Sequence, residues 1–156
     1  MIKGRASASV RIDAPAARVY AILADYNRHH PRVVPPEYFK SLEVEEGGVG
    51  AGTRIYVTMR VMGNKIAFRH NVSEPEPGRV LVESDAEGGS ETRFTVDSEN
   101  SGSACVLTIS TDFTTSRSGI LGRIERYLTV RTLGRIYKKE LSLIASYASE
   151  GHDLPH

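Results

Sequence analysis

The residues from Gly119 to Ser149 constrain this chain more than any other stretch. Thirty-one positions run there without a proline, and strong helix formers dominate, so one helix of about eight turns is predicted. Ile120, Ile124, Tyr127, Val130, Gly134, Tyr137, Leu141, Ile144 and Ala148 recur at three- and four-residue steps and form one apolar stripe. The remaining surface carries Arg123, Arg126, Arg131, Arg135, Lys138 and Lys139 against only Glu125 and Glu140. A helix this long cannot bury its stripe alone. Something broad and apolar must cover it.

Upstream, alternation replaces the helical period. Ala8, Val10 and Ile12 share one face of a strand over 7–13, with Ser9 and Arg11 on the other. Asp13 followed by Pro15 reads as a helix start, since a proline in the first turn loses no hydrogen bond. Val19, Ile22, Leu23 and Tyr26 give that helix its buried face. Pro31, Pro35 and Pro36 then leave room for at most one further short helical turn. From Phe39 to Phe113 the period is two, and strands are predicted over 39–46, 53–62, 65–74, 79–85, 91–97 and 104–113, with glycine, proline and asparagine turns between them. Their inward faces read as Ile55/Val57/Met59/Val61, Ile66/Phe68/His70/Val72, Val80/Val82, Phe94/Val96 and Cys105/Leu107/Ile109/Phe113. The result is an α+β chain of seven antiparallel strands, two short helices after the first, and one long terminal helix. It forms one domain over 1–156, with 150–156 a frayed tail.

Composition removes several classes of function. The 156 residues suffice for one core, and a lone cysteine, Cys105, excludes an internal disulfide and fits a reducing cytoplasm. No apolar run approaches the ~20 residues of a membrane-spanning helix, and the first residues hold no signal-peptide core. Residues 74–99 carry eight acids against Arg79 and Arg93, the reverse of the terminal helix. Such asymmetry can steer an anionic ligand or an acidic partner, but two solvated faces are the simpler reading.

Four passages, in order, carry a family resemblance. "SVRIDAPAARVYAILAD" resembles an opening strand, its proline and a first helix ending V-x-x-x-L-x-D. "EEGGVGAGTRI" resembles a glycine-rich hairpin between second and third strands. "VSEPEPGRVLVES" is similar to the turn before a fifth strand, and the long helix completes the set. Together they resemble the polyketide cyclase/dehydrase-like branch of the START and birch-pollen-allergen superfamily (SRPBCC). That resemblance implies a helix-grip fold, a curved sheet wrapped around the terminal helix. It also implies either of two functions: carriage of a hydrophobic molecule, or cyclase/dehydratase chemistry on a polyketide-like substrate. Many such relatives carry a tryptophan near the end of the second small helix. This chain has none, which implies a different cavity mouth.

A curved sheet gripping one helix leaves a gap wherever the facing side chains are small. The expected lining is Met59, Phe68, His70, Phe94, Ile109, Tyr127, Val130, Gly134 and Tyr137. Gly134 sits on the buried stripe although glycine costs a helix interior about 1 kcal/mol relative to alanine; it either opens room for a ligand or allows close backbone packing. His70 shares an apolar face with Phe68 and Val72. It is the candidate catalytic residue, a general base or a group that orients a polar ligand; the plainer alternative is a core histidine with its bonds satisfied. Thr92 and Thr111 also read as inward, Arg131 as solvated, and no inward Asp or Glu is evident.

The other motifs point away from chemistry. Gly48, Gly50 and Gly52 precede a strand rather than a helix, so they form a hairpin or lid and not a phosphate cradle. His29 and His30 diverge, His152 and His156 lie in the tail, and no spacing supports zinc; neither metal nor cofactor is expected. No nucleophile elbow is present. Nucleic-acid binding would rest on a helix whose best face is committed to the sheet, so no nucleic-acid partner is expected. A homodimer is a possible assembly. The expected function is binding or carriage of a lipid, an isoprenoid or a polyketide-like molecule. The alternatives are a cyclase or dehydratase using His70 and a cavity tyrosine, and a protein-interaction module.

Overall fold

Period-two alternation becomes seven antiparallel strands in a computed structural model of the chain, which describes residues 1–150, 154 and 155. The order is β1 (Lys3–Ile12), α1 (Ala16–Ala24), a 3-10 turn at His30–Arg32, β2 (Phe39–Glu46), β3 (Arg54–Val61), β4 (Asn64–Glu76), β5 (Val80–Asp85), β6 (Ser90–Glu99), β7 (Ala104–Thr114) and α2 (Gly119–Ala148). Strands β2 to β7 form a meander, and β1 joins its far edge beside β7. The second short helix shrinks to that 3-10 turn, as the proline-rich segment around Pro31 requires.

Cross-strand pairing fixes which side chains face the helix. Phe94 pairs with Ile109 on β7 and with Leu81 on β5, so all three share one face. Strand β5 therefore points Leu81, Glu83 and Asp85 inward and Val80 and Val82 outward, one residue out of step with the expected face. Val80, Leu81 and Val82 are all buried, so the apolar run carried no parity of its own. A slip of one residue turned Glu83 from surface to interior.

Helix α2 also departs from its single stripe. Ile136, Tyr137, Glu140, Leu141, Ile144, Tyr147 and Ala148 are buried, but Ile120, Ile124 and Tyr127 are 76%, 51% and 61% exposed. The helix lies close to β1 and α1 and stands off from β3, β4 and β5. The space left there is the cavity. The start of the helix is pinned by Glu125, whose carboxylate accepts hydrogen bonds from Ser116 N, Ser116 Oγ and Arg117 N at 3.0, 2.7 and 3.0 Å. Gly122 is obligatory beneath it: a Cβ there would lie 2.5 Å from the Arg117 carbonyl oxygen.

The glycine loop is the expected hairpin connection between β2 and β3, and it is tied down: Tyr26 N donates to Gly48 O, Gly50 N to Ala24 O, and Gly52 N to Val72 O. It braces the end of α1, away from the cavity lining. In the tail, Leu154 packs into the core, and Arg18 donates to the carbonyls of Ala148 (2.6 Å), Glu150 and Pro155 (3.5 Å). The rest of the expected tail, 151–153 and 156 with His152 and His156, lies outside the described residues.

Candidate ligand-binding site

The cavity between sheet and helix encloses about 580 Å³. Its walls are Phe39, Leu42, Ile55, Val57, Met59, Phe68 and Phe94 from the sheet and Leu133 and Ile136 from α2. Its mouth lies between the β3–β4 hairpin and the first half of α2, where Met62, Ile66 and Leu128 are 75%, 44% and 45% exposed. Of the expected lining, Met59, Phe68, His70, Phe94 and Tyr137 face this space. Ile109 is fully buried outside it, Val130 is half-buried beside the core, and Tyr127 lies on the surface with its hydroxyl accepting from Arg131 at 3.2 Å. Gly134 does not line the cavity, and no atom lies within 4 Å of where its Cβ would sit. It neither opens the gap nor allows close packing.

The polar residues converge on the floor. Tyr26 donates its hydroxyl to Glu83 Oε2 at 2.6 Å, and His30 Nε2 and His70 Nδ1 stand 3.8 and 3.6 Å from the same carboxylate. His30 stacks on Tyr26 with centroids 4.4 Å apart, and its Nδ1 donates to the Leu23 carbonyl at 2.6 Å, which turns Nε2 towards Glu83. At 3.6 Å His70 Nδ1 is just beyond hydrogen-bond length, and this buried atom has no other partner. Thr92 bonds Thr111 at 2.8 Å, and Thr111 bonds the Tyr137 hydroxyl.

Glu140 closes the floor from α2. It is 3% exposed, and no hydrogen bond or ion pair reaches its carboxyl from any described residue. The two buried acids are driven apart. Burial, and then the charge of Glu83, pushes Glu140 up to about 8, so its carboxyl is neutral at pH 7. Burial pushes Glu83 upward too, but the neighbouring His70 and His30 imidazoles and the Tyr26 hydroxyl outweigh it and hold Glu83 below the ordinary glutamate value. Burial raises Tyr137 to about 12, which keeps its phenol protonated.

Sequence reasoning missed Glu83, Glu140 and His30. Glu83 was hidden by the parity of β5. Glu140 had a usable signal, because Ile136, Glu140, Ile144 and Tyr147 are themselves spaced by four, four and three. His30 gave none, since its placement depends on its hydrogen bonds to Asp25 O and Leu23 O and its stacking on Tyr26. Among the described residues no group of three or more His, Cys, Asp or Glu is arranged to hold a metal ion.

This architecture is that of the START-like helix-grip proteins. The chain belongs to the polyketide cyclase/dehydrase and lipid transport family, whose sequence model matches residues 3–149. Among solved structures it is similar to the KanY protein (23% identity, TM-score 0.81, covering 96% of this chain and 100% of that one). It is also similar to the Zhui aromatase/cyclase from Streptomyces sp. R1128 (17%, 0.73, 94% of each). A START superfamily protein from Mycobacterium smegmatis is a third (16%, 0.69, 92% of this chain and 98% of that one). At these identities the likeness is one of fold. No curated protein matches the chain by sequence. No helix among the described residues is long and apolar enough to cross a membrane.

Proposed function

We propose that this protein binds one largely apolar small molecule, a lipid, isoprenoid or polyketide-like compound, between the sheet and α2, with its polar end on the floor. The observation that carries this reading is an apolar cavity of about 580 Å³ ending at the Glu140 carboxyl, which opens onto it and takes no hydrogen bond from any described residue. A polar group at the end of an apolar cavity is what fixes the orientation of a bound small molecule, and Glu140 would do so here. The apolar walls supply affinity at roughly 25 cal/mol per Å² of apolar surface removed from water. The family's description, which joins cyclase/dehydrase activity with lipid transport, supports the same class of ligand.

Native mass spectrometry of gently purified protein is expected to show a one-to-one complex with an apolar compound. Val57→Phe, which fills the cavity, is expected to weaken that binding about tenfold while circular dichroism stays native, provided overpacking costs no more than the usual ~1–3 kcal/mol. Failure of the protein to retain or take up any apolar compound would overturn the proposal.

A second reading is acid/base catalysis on the bound molecule. One observation favours it: His70 is backed by an ionised Glu83 while Glu140 and Tyr137 stay protonated in the same cavity. Loss of turnover with retained binding in His70→Phe would select it over carriage.

A further inference from the structure

The cavity's charge is one-sided. No lysine or arginine among the described residues lines it, whereas Glu83, Asp85 and Glu140 all do. The nearest lysine in sequence, Lys139, points outward and is paired with Glu37 at 2.9 Å. The groups facing Glu140 across the floor are Glu83 from β5, His70 from β4, Tyr26 and His30 from the segment after α1, and Tyr137 from its own helix. None of them is a fixed cation.

The floor is rich in carboxyl oxygens and, among the described residues, holds no fixed cation. The Glu140 oxygens take no hydrogen bond from any described residue and can accept one, while His70 Nδ1 faces the Glu83 carboxylate at 3.6 Å as its donor. A carboxylate or phosphate head would add acceptors and negative charge to a site already rich in both, with no cation to offset the loss of water. A hydroxyl brings a single donor. An ammonium brings three donors, no acceptor, and the charge the floor lacks.

We infer that the cavity selects apolar amines, alkyl or aryl skeletons ending in a protonated nitrogen seated between Glu140, Glu83 and His70, and that it rejects apolar acids. The inference rests on the ligand-binding reading above and specifies the head group.

Binding then carries a proton with it. Free Glu140 holds its proton up to about pH 8. An ammonium beside it favours the ionised form, so the Glu140 proton passes to solvent as the complex forms, and the pair is left as ammonium and carboxylate. Below about pH 8 affinity for the amine rises with pH, by up to about tenfold per unit, and levels off above it.

Three matched probes test this: 2-(2-naphthyl)ethylamine, 2-(2-naphthyl)ethanol and 2-naphthylacetate, titrated calorimetrically into the full chain at pH 7 in two buffers of different ionisation enthalpy. The amine is expected to bind at least about tenfold more tightly than the acid and to release close to one proton. Glu140→Gln, which keeps the shape, is expected to weaken the amine about tenfold, abolish the proton release and leave the alcohol within about threefold. The pH slope of the wild-type protein gives the same answer without the variant. An acid that binds as tightly as the amine, or amine binding without proton release, overturns the amine inference alone. Failure of all three probes overturns the ligand-binding reading with it.

Discussion

The two halves of α2 have similar composition and opposite fates. Ile136 and Ile144 are 1% and 0% exposed, whereas Ile120 and Ile124 are 76% and 51% exposed. Periodicity does not separate them, since both halves place apolar residues at helical spacing. What covers them does. The second half lays Glu140 over the cavity floor and buries Ile136, Leu141 and Ile144, while the first half touches Ile2 at Gly122, carries Leu128 at the cavity rim and leaves Ile120 and Ile124 exposed. A helical stripe shows which residues can be buried together. It does not show how much sheet is there to bury them.

The same substitution made in each half gives the largest contrast. Ile144→Ala is expected to cost about 2–5 kcal/mol in urea unfolding, as deletion from a closed core does, whereas Ile124→Ala should stay within about 0.5 kcal/mol. A comparable loss at both positions would mean that the first half is covered in solution, and size-exclusion chromatography would then show an assembly.

Glu140 sharpens the contrast through pH. Its value when folded, about 8, lies above the ordinary 4.5, so the folded state holds its proton where the unfolded chain has released it. Its contribution is fully present below about pH 4.5 and is lost as pH rises through about 8, amounting to a few kcal/mol. Glu83, held low, acts in the opposite sense at more acid pH. Across pH 5 to 8 the wild-type protein is therefore expected to lose stability relative to Glu140→Gln, measured by paired urea titrations. Parallel curves for the two proteins would place the Glu140 carboxyl in contact with water.

The smallest effect belongs to the boundary between the halves. Nothing lies within 4 Å of a Cβ built at Gly134, and its backbone is helical. Gly134→Ala is expected to stabilise the fold by about 1 kcal/mol, raising the thermal midpoint without altering ligand binding. A loss of stability there would show that the helix bends at this position.

Much of the fold was legible because it is written in local period. Seven alternating runs separated by turn residues could be little other than a meander, and a proline-free stretch of that length little other than a helix. The apolar wall of the site was legible for the same reason: Met59, Phe68 and Phe94 stand on strands whose alternation is unambiguous, and His70 and Tyr137 fall in register with them. The polar floor was not. Strand β5 is apolar on both faces at Val80, Leu81 and Val82, so its direction, and with it the side on which Glu83 emerges, is set by pairing with Phe94 and Thr92 on β6.

Sequence by itself determined the order of elements, the long final helix and the family, because helical and strand periods are properties of neighbouring residues. Tertiary structure decided which half of the helix is covered, where the cavity closes, and that two glutamates and two histidines from four separate segments meet on one floor. Those are distances between residues far apart in the chain. So is the division of the two acids into one held ionised and one held neutral, because each depends on what burial removes and which neighbours remain.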